Sequence, residues 1–266
     1  MSETTASATP ASTDFKPGSP NWVDVASNDK EASKAFYTGL FGWTANDLGE
    51  EAGGYVMFEL DGAAVAAMGG TQEGQPPAWS LYFDTTSADE TAAKVTEAGG
   101  KVIAPPFDVL GQGRMAVFQD PTGAFFSVWQ KSVMPGMGKL GEPNTFGWCE
   151  LNTRDVEAAA GFYAKVFGWS AHRSQGSQDG VPYTEWQLDG KSFGGAMDMS
   201  NTPIPADVPP HWLVYFNVTD IDASTAKVPG LGGKGMMGPE AYPGGKFSVV
   251  AEPSGAAFGL MQSSEG

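Results

Sequence analysis

The stretch Asp29-Lys-Glu-Ala-Ser-Lys-Ala-Phe36-Tyr37-Thr-Gly-Leu-Phe41-Gly42-Trp43 returns later as Asp155-Val-Glu-Ala-Ala-Ala-Gly-Phe162-Tyr163-Ala-Lys-Val-Phe167-Gly168-Trp169. Three further matches follow in the same order. Tyr55…Phe58-Glu-Leu-Asp61-Gly62 is echoed by Tyr183…Trp186-Gln-Leu-Asp189-Gly190, and Trp79-Ser-Leu-Tyr82-Phe83 by Trp212-Leu-Val-Tyr215-Phe216. Asp120-Pro121-Thr-Gly123…Gln130 is echoed by Glu252-Pro253-Ser-Gly255…Gln262. Ordered self-similarity of this kind marks a duplicated unit. It divides the chain into a tail (1–18) expected to be disordered, a first domain (19–131), a Gly-, Pro- and Met-rich linker (132–144) and a second domain (145–263).

Within the first half, residues 21–26 read as a strand. Asn28 with Glu31 forms a capping-box start, and Ala32, Ala35, Phe36, Gly39 and Leu40 share one face of the helix that follows. Strands are expected near 43–48, 54–60 and 63–69, the last two joined by Asp61-Gly62, a two-residue hairpin signal. The unit then recurs: a strand at 78–85, a helix capped by Ser87 and Glu90 and stopped by Gly99, and strands near 101–109, 113–119 and 124–130. Four βαβββ modules result. The fourth helix is shortened, because Pro229 interrupts it.

Composition narrows the function classes. With 15 Lys and Arg against 31 Asp and Glu, the net charge is −16. That charge opposes nucleic acid and anionic membrane surfaces but not cationic small molecules. One cysteine, Cys149, excludes internal disulfides and Cys-rich zinc sites and fits a reducing, cytoplasmic setting. His172 and His211 are the only imidazoles, so a three-His metal site is impossible. No apolar run approaches the roughly 18 residues of a spanning helix.

The paired βαβββ modules, the Asp…Phe-Tyr…Phe-Gly-Trp opening and the Asp-Pro-x-Gly close resemble the vicinal oxygen chelate superfamily of glyoxalase I, extradiol dioxygenases and bleomycin-resistance proteins. The tandem arrangement is similar to the actinobacterial-type proteins described as glyoxalase-like or "hydroxylase". The resemblance covers residues 19–263. It implies an α+β fold: two tandem glyoxalase-like domains, each a pair of βαβββ modules forming a cup-shaped mixed sheet. In metal-dependent members, His, Gln or Glu on four strands hold a divalent ion in the cup. The resemblance places those positions at Trp22, Ala67, Ser80 and Ser127, and at Trp148, Gly195, Leu213 and Gly259. Trp, Ala, Gly and Leu donate nothing to a cation and a lone Ser hydroxyl is a poor ligand, so no metal and no cofactor is expected.

Residues two apart on a strand share a face. The first cup is therefore expected to present Trp22, Tyr82, Phe125 and Trp129 around Asp24. The second presents Trp148, Tyr215 and Met261 around Glu150, with His211 at its rim. Arg114, like Lys246 in the repeat, either clamps an anionic group or solvates a hairpin end. Two readings of the cups stay open: a ligand pocket, or aromatic core with the acids hydrogen-bonded to backbone. The function expected first is metal-independent binding of a small planar organic molecule, neutral or cationic, by sequestration or carriage. The alternative is a metal-free lyase, isomerase or hydroxylase-like enzyme in which Asp24 or Glu150 acts as acid or base. A closed, inert scaffold is the third. Single-domain relatives dimerise, so a tandem chain is expected to be a monomer that pairs its own domains, or a weak homodimer.

Overall fold

A computed structural model describes residues 14–174, 182–202 and 204–264. The first domain runs β1 (Pro20–Ser27), α1 (Lys30–Phe41), β2 (Thr44–Asp47), β3 (Val56–Leu60), β4 (Ala63–Gly70), β5 (Ala78–Asp84), α2 (Ala88–Glu97), β6 (Lys101–Val109), β7 (Gly113–Gln119) and β8 (Phe125–Lys131). The second repeats it as β9 (Phe146–Thr153), α3 (Val156–Phe167), β10 (Ser170–Ser174), β11 (Tyr183–Leu188), β12 (Lys191–Asp198), β13 (His211–Asn217), α4 (Ile221–Lys227), β14 (Lys234–Tyr242), β15 (Gly245–Ala251) and β16 (Ala257–Ser263). Each domain forms one eight-stranded mixed sheet, ordered β2-β3-β4-β1-β5-β8-β7-β6 and β10-β11-β12-β9-β13-β16-β15-β14. The four expected modules are present, and α4 is short, passing into a 3-10 turn at Pro229.

Local signals explain the elements. The first helix is capped by Asp29 rather than Asn28: the Asp29 carboxylate accepts from the Ala32 amide at 3.1 Å, as Asp155 does from Ala158 at 2.9 Å. Gly42 and Gly168 close these helices in the left-handed conformation. The buried face of α1 is Ser33, Phe36, Tyr37, Leu40 and Phe41, one step round from the Ala-rich face expected, because the larger aromatics turn inward. Asp61 and Gly62 both have positive φ, 50° and 79°, as a type I′ hairpin requires.

One face of each sheet is core and is shared between the domains. Trp79 meets Phe216 at 5.0 Å, and Phe83 meets Trp212 at 5.5 Å, so β5 and β13 lie back to back. The helices exchange partners: Phe41 of α1 packs on Phe216 at 5.2 Å, and Tyr163 of α3 packs on Phe126 at 5.5 Å. The approach segments cross as well. Trp169 Nε1 donates to the Gly18 carbonyl at 2.9 Å, and Trp43 Nε1 to the Asn144 carbonyl at 2.8 Å. Domain pairing within one chain is thus built into the core, and the opposite face of each sheet turns away from the partner domain.

The tail expected over 1–18 needs correction in its last part. Residues 1–13 lie outside the described residues, but Phe15 is buried and Gly18 is the acceptor for Trp169. The linker, too, is packed on the first domain: the Met137 amide donates to Asn21 O and the Gly138 amide to Ala64 O.

Candidate functional site

Strand register fixes which side chains share the outward face of the first sheet. Asp24 of β1 pairs with Ala67 of β4 and with Ser80 of β5, Trp22 pairs with Tyr82, and Tyr82 pairs with Ser127 of β8. Asp24, and not Trp22 as the resemblance suggested, is therefore the β1 residue level with Ala67 and Ser80. A shift of register between Pro20 and Trp22 accompanies the difference. Two phenols converge on one carboxylate oxygen: Tyr55 Oη donates to Asp24 Oδ2 at 2.8 Å and Tyr82 Oη at 2.9 Å. Trp22 Nε1 donates in turn to Tyr55 Oη at 3.3 Å, giving a Trp–Tyr–Asp–Tyr chain.

The second cup repeats the chain with Glu150, which pairs with Gly195 and Leu213, while Trp148 pairs with Tyr215 and Tyr215 with Gly259. Trp148 Nε1 donates to Tyr183 Oη at 3.0 Å, Tyr215 Oη donates to Glu150 Oε1 at 3.2 Å, and Tyr183 also hydrogen-bonds the carboxylate. Asn152 Nδ2 adds a longer contact at 3.4 Å. Glycines make room for the rings. A Cβ on Gly195 would lie 2.1 Å from the Tyr183 hydroxyl, and one on Gly259 would lie 2.0 Å from Cδ1 of Tyr215.

The acids are thus held by side chains and not by backbone. Trp22, Tyr82, Trp148 and Tyr215 stand beside them as expected, whereas three other expected site residues are corrected. Trp129 is buried, lies where a Cβ on Gly113 would clash with its ring, and donates to the Met134 carbonyl at 2.9 Å; the linker covers it. Arg114 forms a two-point ion pair with Asp89, Nε to Oδ2 at 2.9 Å and Nη2 to Oδ1 at 3.0 Å, with Asp108 nearby, so it serves the hairpin end. His211 pairs with Asn152 on the cup face, but its Nδ1 is engaged with the Pro209 carbonyl at 2.9 Å. Phe125 stands 55% exposed, and Met261 is half-buried opposite Phe247 of β15. Tyr55 and Tyr183 were not among the expected site residues. The repeat had already paired them, and that pairing was the available signal. Of the clefts elsewhere, one of roughly 340 Å³ lies at the domain seam, lined by Gly18, Ser87, Lys94 and Lys165, away from both acids.

Burial pushes the Asp24 and Glu150 carboxyls above the ordinary carboxylate range, and the tyrosine hydrogen bonds only partly offset it. The same burial, with the adjacent carboxylate, pushes all four phenols well above 10, so each keeps its proton and donates. The linkage sign follows from these directions. A carboxyl whose pKa is raised on folding contributes stability below its unfolded pKa and loses it as pH rises through the folded value. Asp24→Asn keeps an oxygen for both phenols and removes the charge. It is expected to raise the thermal midpoint at about pH 8, with the gain disappearing toward about pH 4, where the wild-type acid is protonated. A lower midpoint at the alkaline end, read by calorimetry, would show that the ionised acid is net stabilising.

A sheet with this order, duplicated and carrying its acids on the face opposite the helices, can be compared with known families. The model of the Glyoxalase/Bleomycin resistance protein/Dioxygenase superfamily matches residues 19–128 and 145–260. The chain belongs to that superfamily. It is 40% identical to the anthracycline biosynthesis protein DauV of Streptomyces sp. (strain C5), over 94% of this chain and 95% of that one. It is also 40% identical to the anthracycline biosynthesis protein DnrV of Streptomyces peucetius, over 96% of each. Among solved structures, the Mn(II)-bound glyoxalase of Novosphingobium aromaticivorans superposes with a TM-score of 0.63 at 18% identity, covering 92% of this chain and 82% of that one. At that identity the likeness concerns the fold.

The superfamily fold implies a divalent ion in the cup, and the donor set present does not fit one. Each cup offers a single carboxylate whose neighbours in register are Ala67 and Ser80, or Gly195 and Leu213. The phenol protons already point at that carboxylate. Among the described residues no group of three or more His, Cys, Asp and Glu is placed to hold a metal. The described helices also include none long and apolar enough to cross a membrane.

Proposed function

We propose that this superfamily member binds a small planar aromatic molecule, neutral or cationic, in its concave face without a metal ion, and that it acts by holding or carrying that molecule. The observation that supports the reading is the carboxylate clasped by two phenols and flanked by tryptophan, set where metal-dependent relatives would place ligands. Aromatic faces stack on planar rings, and a carboxylate beside them favours a ligand cation. The names of the relatives fit this reading: an anthracycline is a planar fused-ring compound bearing an amino sugar. The acidic surface would draw such a cation in.

A fluorescence titration of the full chain with daunorubicin, in the presence of a chelator, tests the proposal. Saturable uptake with the ligand recovered at unchanged mass is the expected result. Failure to bind, or binding abolished by the chelator, overturns it. A second reading rests on the raised Asp24 carboxyl linked to Tyr82: such a pair could move a proton on a bound carbonyl compound, as a metal-free lyase or isomerase would. A ligand whose mass or absorption spectrum changes on incubation would favour that enzyme.

A further inference from the structure

We infer that the two cups are not equivalent, and that the planar ligand enters the first alone, stacked on Phe125 with its donor group directed to Asp24 and Ser80. The inference rests on the binding reading above and deepens it by naming the site and its selectivity.

The sheets can be compared level by level, since the registers correspond. At the level of the acid, the first sheet carries Ser80 beside Asp24, both half-buried, with Phe125 on the neighbouring strand two residues before Ser127. The second carries Leu213 beside Glu150, both buried, and Ala257 in the place of Phe125. One step along the strands, the first sheet pairs Ala26 with Ala78, while the second pairs Asn152 with His211. Two methyl groups therefore leave open an end of the first cup that an amide and an imidazole occupy in the second. Glu150 is also more completely satisfied, receiving Tyr183, Tyr215 and Asn152. On the outer wall the first sheet has Phe107, 45% exposed and paired with Met115, where the second has Glu240 paired with Phe247.

The first cup thus combines an exposed ring, a hydroxyl, a reachable carboxylate and empty space at one level. A folded chain gains nothing from leaving Phe125 in water, and a ring of that exposure beside a half-buried acid is suited to a planar molecule with a donor at its edge. Glu150, covered by Leu213 and tied to three donors, reads as a fixed part of the second sheet.

Daunorubicin titrated into the full chain, followed by fluorescence and by native mass spectrometry, reads both affinity and stoichiometry. One molecule per chain is expected. Phe125→Ala should weaken uptake at least tenfold. A26N/A78H, which gives the first cup the side chains of the second, should abolish it. His211→Ala, which opens the second cup, should leave the stoichiometry at one. Phe125 is more than half exposed, so its variant is expected to fold, and circular dichroism checks this. Two sites per chain, or one site indifferent to both first-cup variants, overturns the inference and leaves the proposed function standing. No saturable uptake by the wild type overturns the proposed function and this inference with it.

Discussion

Gly259→Ala is expected to destabilise the chain by about 2–3 kcal/mol, while Ser127→Ala at the equivalent place in the first domain costs about 1 kcal/mol or less. The difference comes from where each tyrosine rests. Tyr215 lies against the backbone of its partner strand, so a methyl at 259 would meet Cδ1 at 2.0 Å, close to the ring's root and not at a flexible end. The ring must turn away. In turning it gives up its hydrogen bond to Glu150, leaving a buried acid with fewer donors. Ser127 already carries a Cβ beneath Tyr82, so trimming its hydroxyl asks nothing of the ring. For a chain of this size the loss amounts to a fall in thermal midpoint of about 4–12 °C. Equal effects at the two positions, measured by urea denaturation, would mean that the ring of Tyr215 has room that the structure does not give it.

The same comparison explains how much of the molecule was legible in the residues. The fold was, because a duplicated pattern repeats its punctuation: Asp29 and Asp155 at helix starts, Gly42 and Gly168 at helix ends, Asp61-Gly62 and Asp189-Gly190 at hairpins. The acids were also legible, since alternation along β1 and β9 puts Asp24 with Trp22 and Glu150 with Trp148. Their partners were only half visible. Tyr55 and Tyr183 recur at matching places, yet each precedes or opens a strand two positions across the sheet, and only the β1–β4–β3 pairing brings them to the acid. Counting from a helix could not supply the register of β1, where an irregularity lies between Pro20 and Trp22. Trp129 misled for a different reason. Alternation gives the face correctly, but only tertiary contact shows that the linker lies over that ring.

Nor did sequence reveal that each domain's first helix packs on the other domain's sheet, and the second large effect is expected there. Tyr163→Phe should cost about 2–3 kcal/mol, and Tyr37→Phe, its counterpart, should be close to neutral. Tyr163 Oη is buried at the domain seam, donating to Asp120 Oδ2 of the first domain at 2.9 Å and accepting from Trp212 Nε1 at 2.9 Å. Removing the hydroxyl leaves a buried indole N–H and a carboxylate oxygen without that partner, although Asp120 Oδ1 keeps its donors at Thr122, Gly123 and Ala124. In the first domain the corresponding acid is Glu252, one methylene longer. Its carboxylate is turned to Ser33 Oγ and the Ala256 amide, and α3 has Ala159 where α1 has Ser33. Tyr37 Oη and Trp79 Nε1 are consequently left buried with no hydrogen-bond partner among the described residues. Deleting a hydroxyl that makes no bond removes only a desolvation penalty, so Tyr37→Phe loses nothing and gains slightly if it shifts stability at all. Guanidinium denaturation of both variants tests the asymmetry. A cost at Tyr37 matching that at Tyr163 would require Glu252 to reach across to the phenol, and the two halves of the seam would then be equivalent.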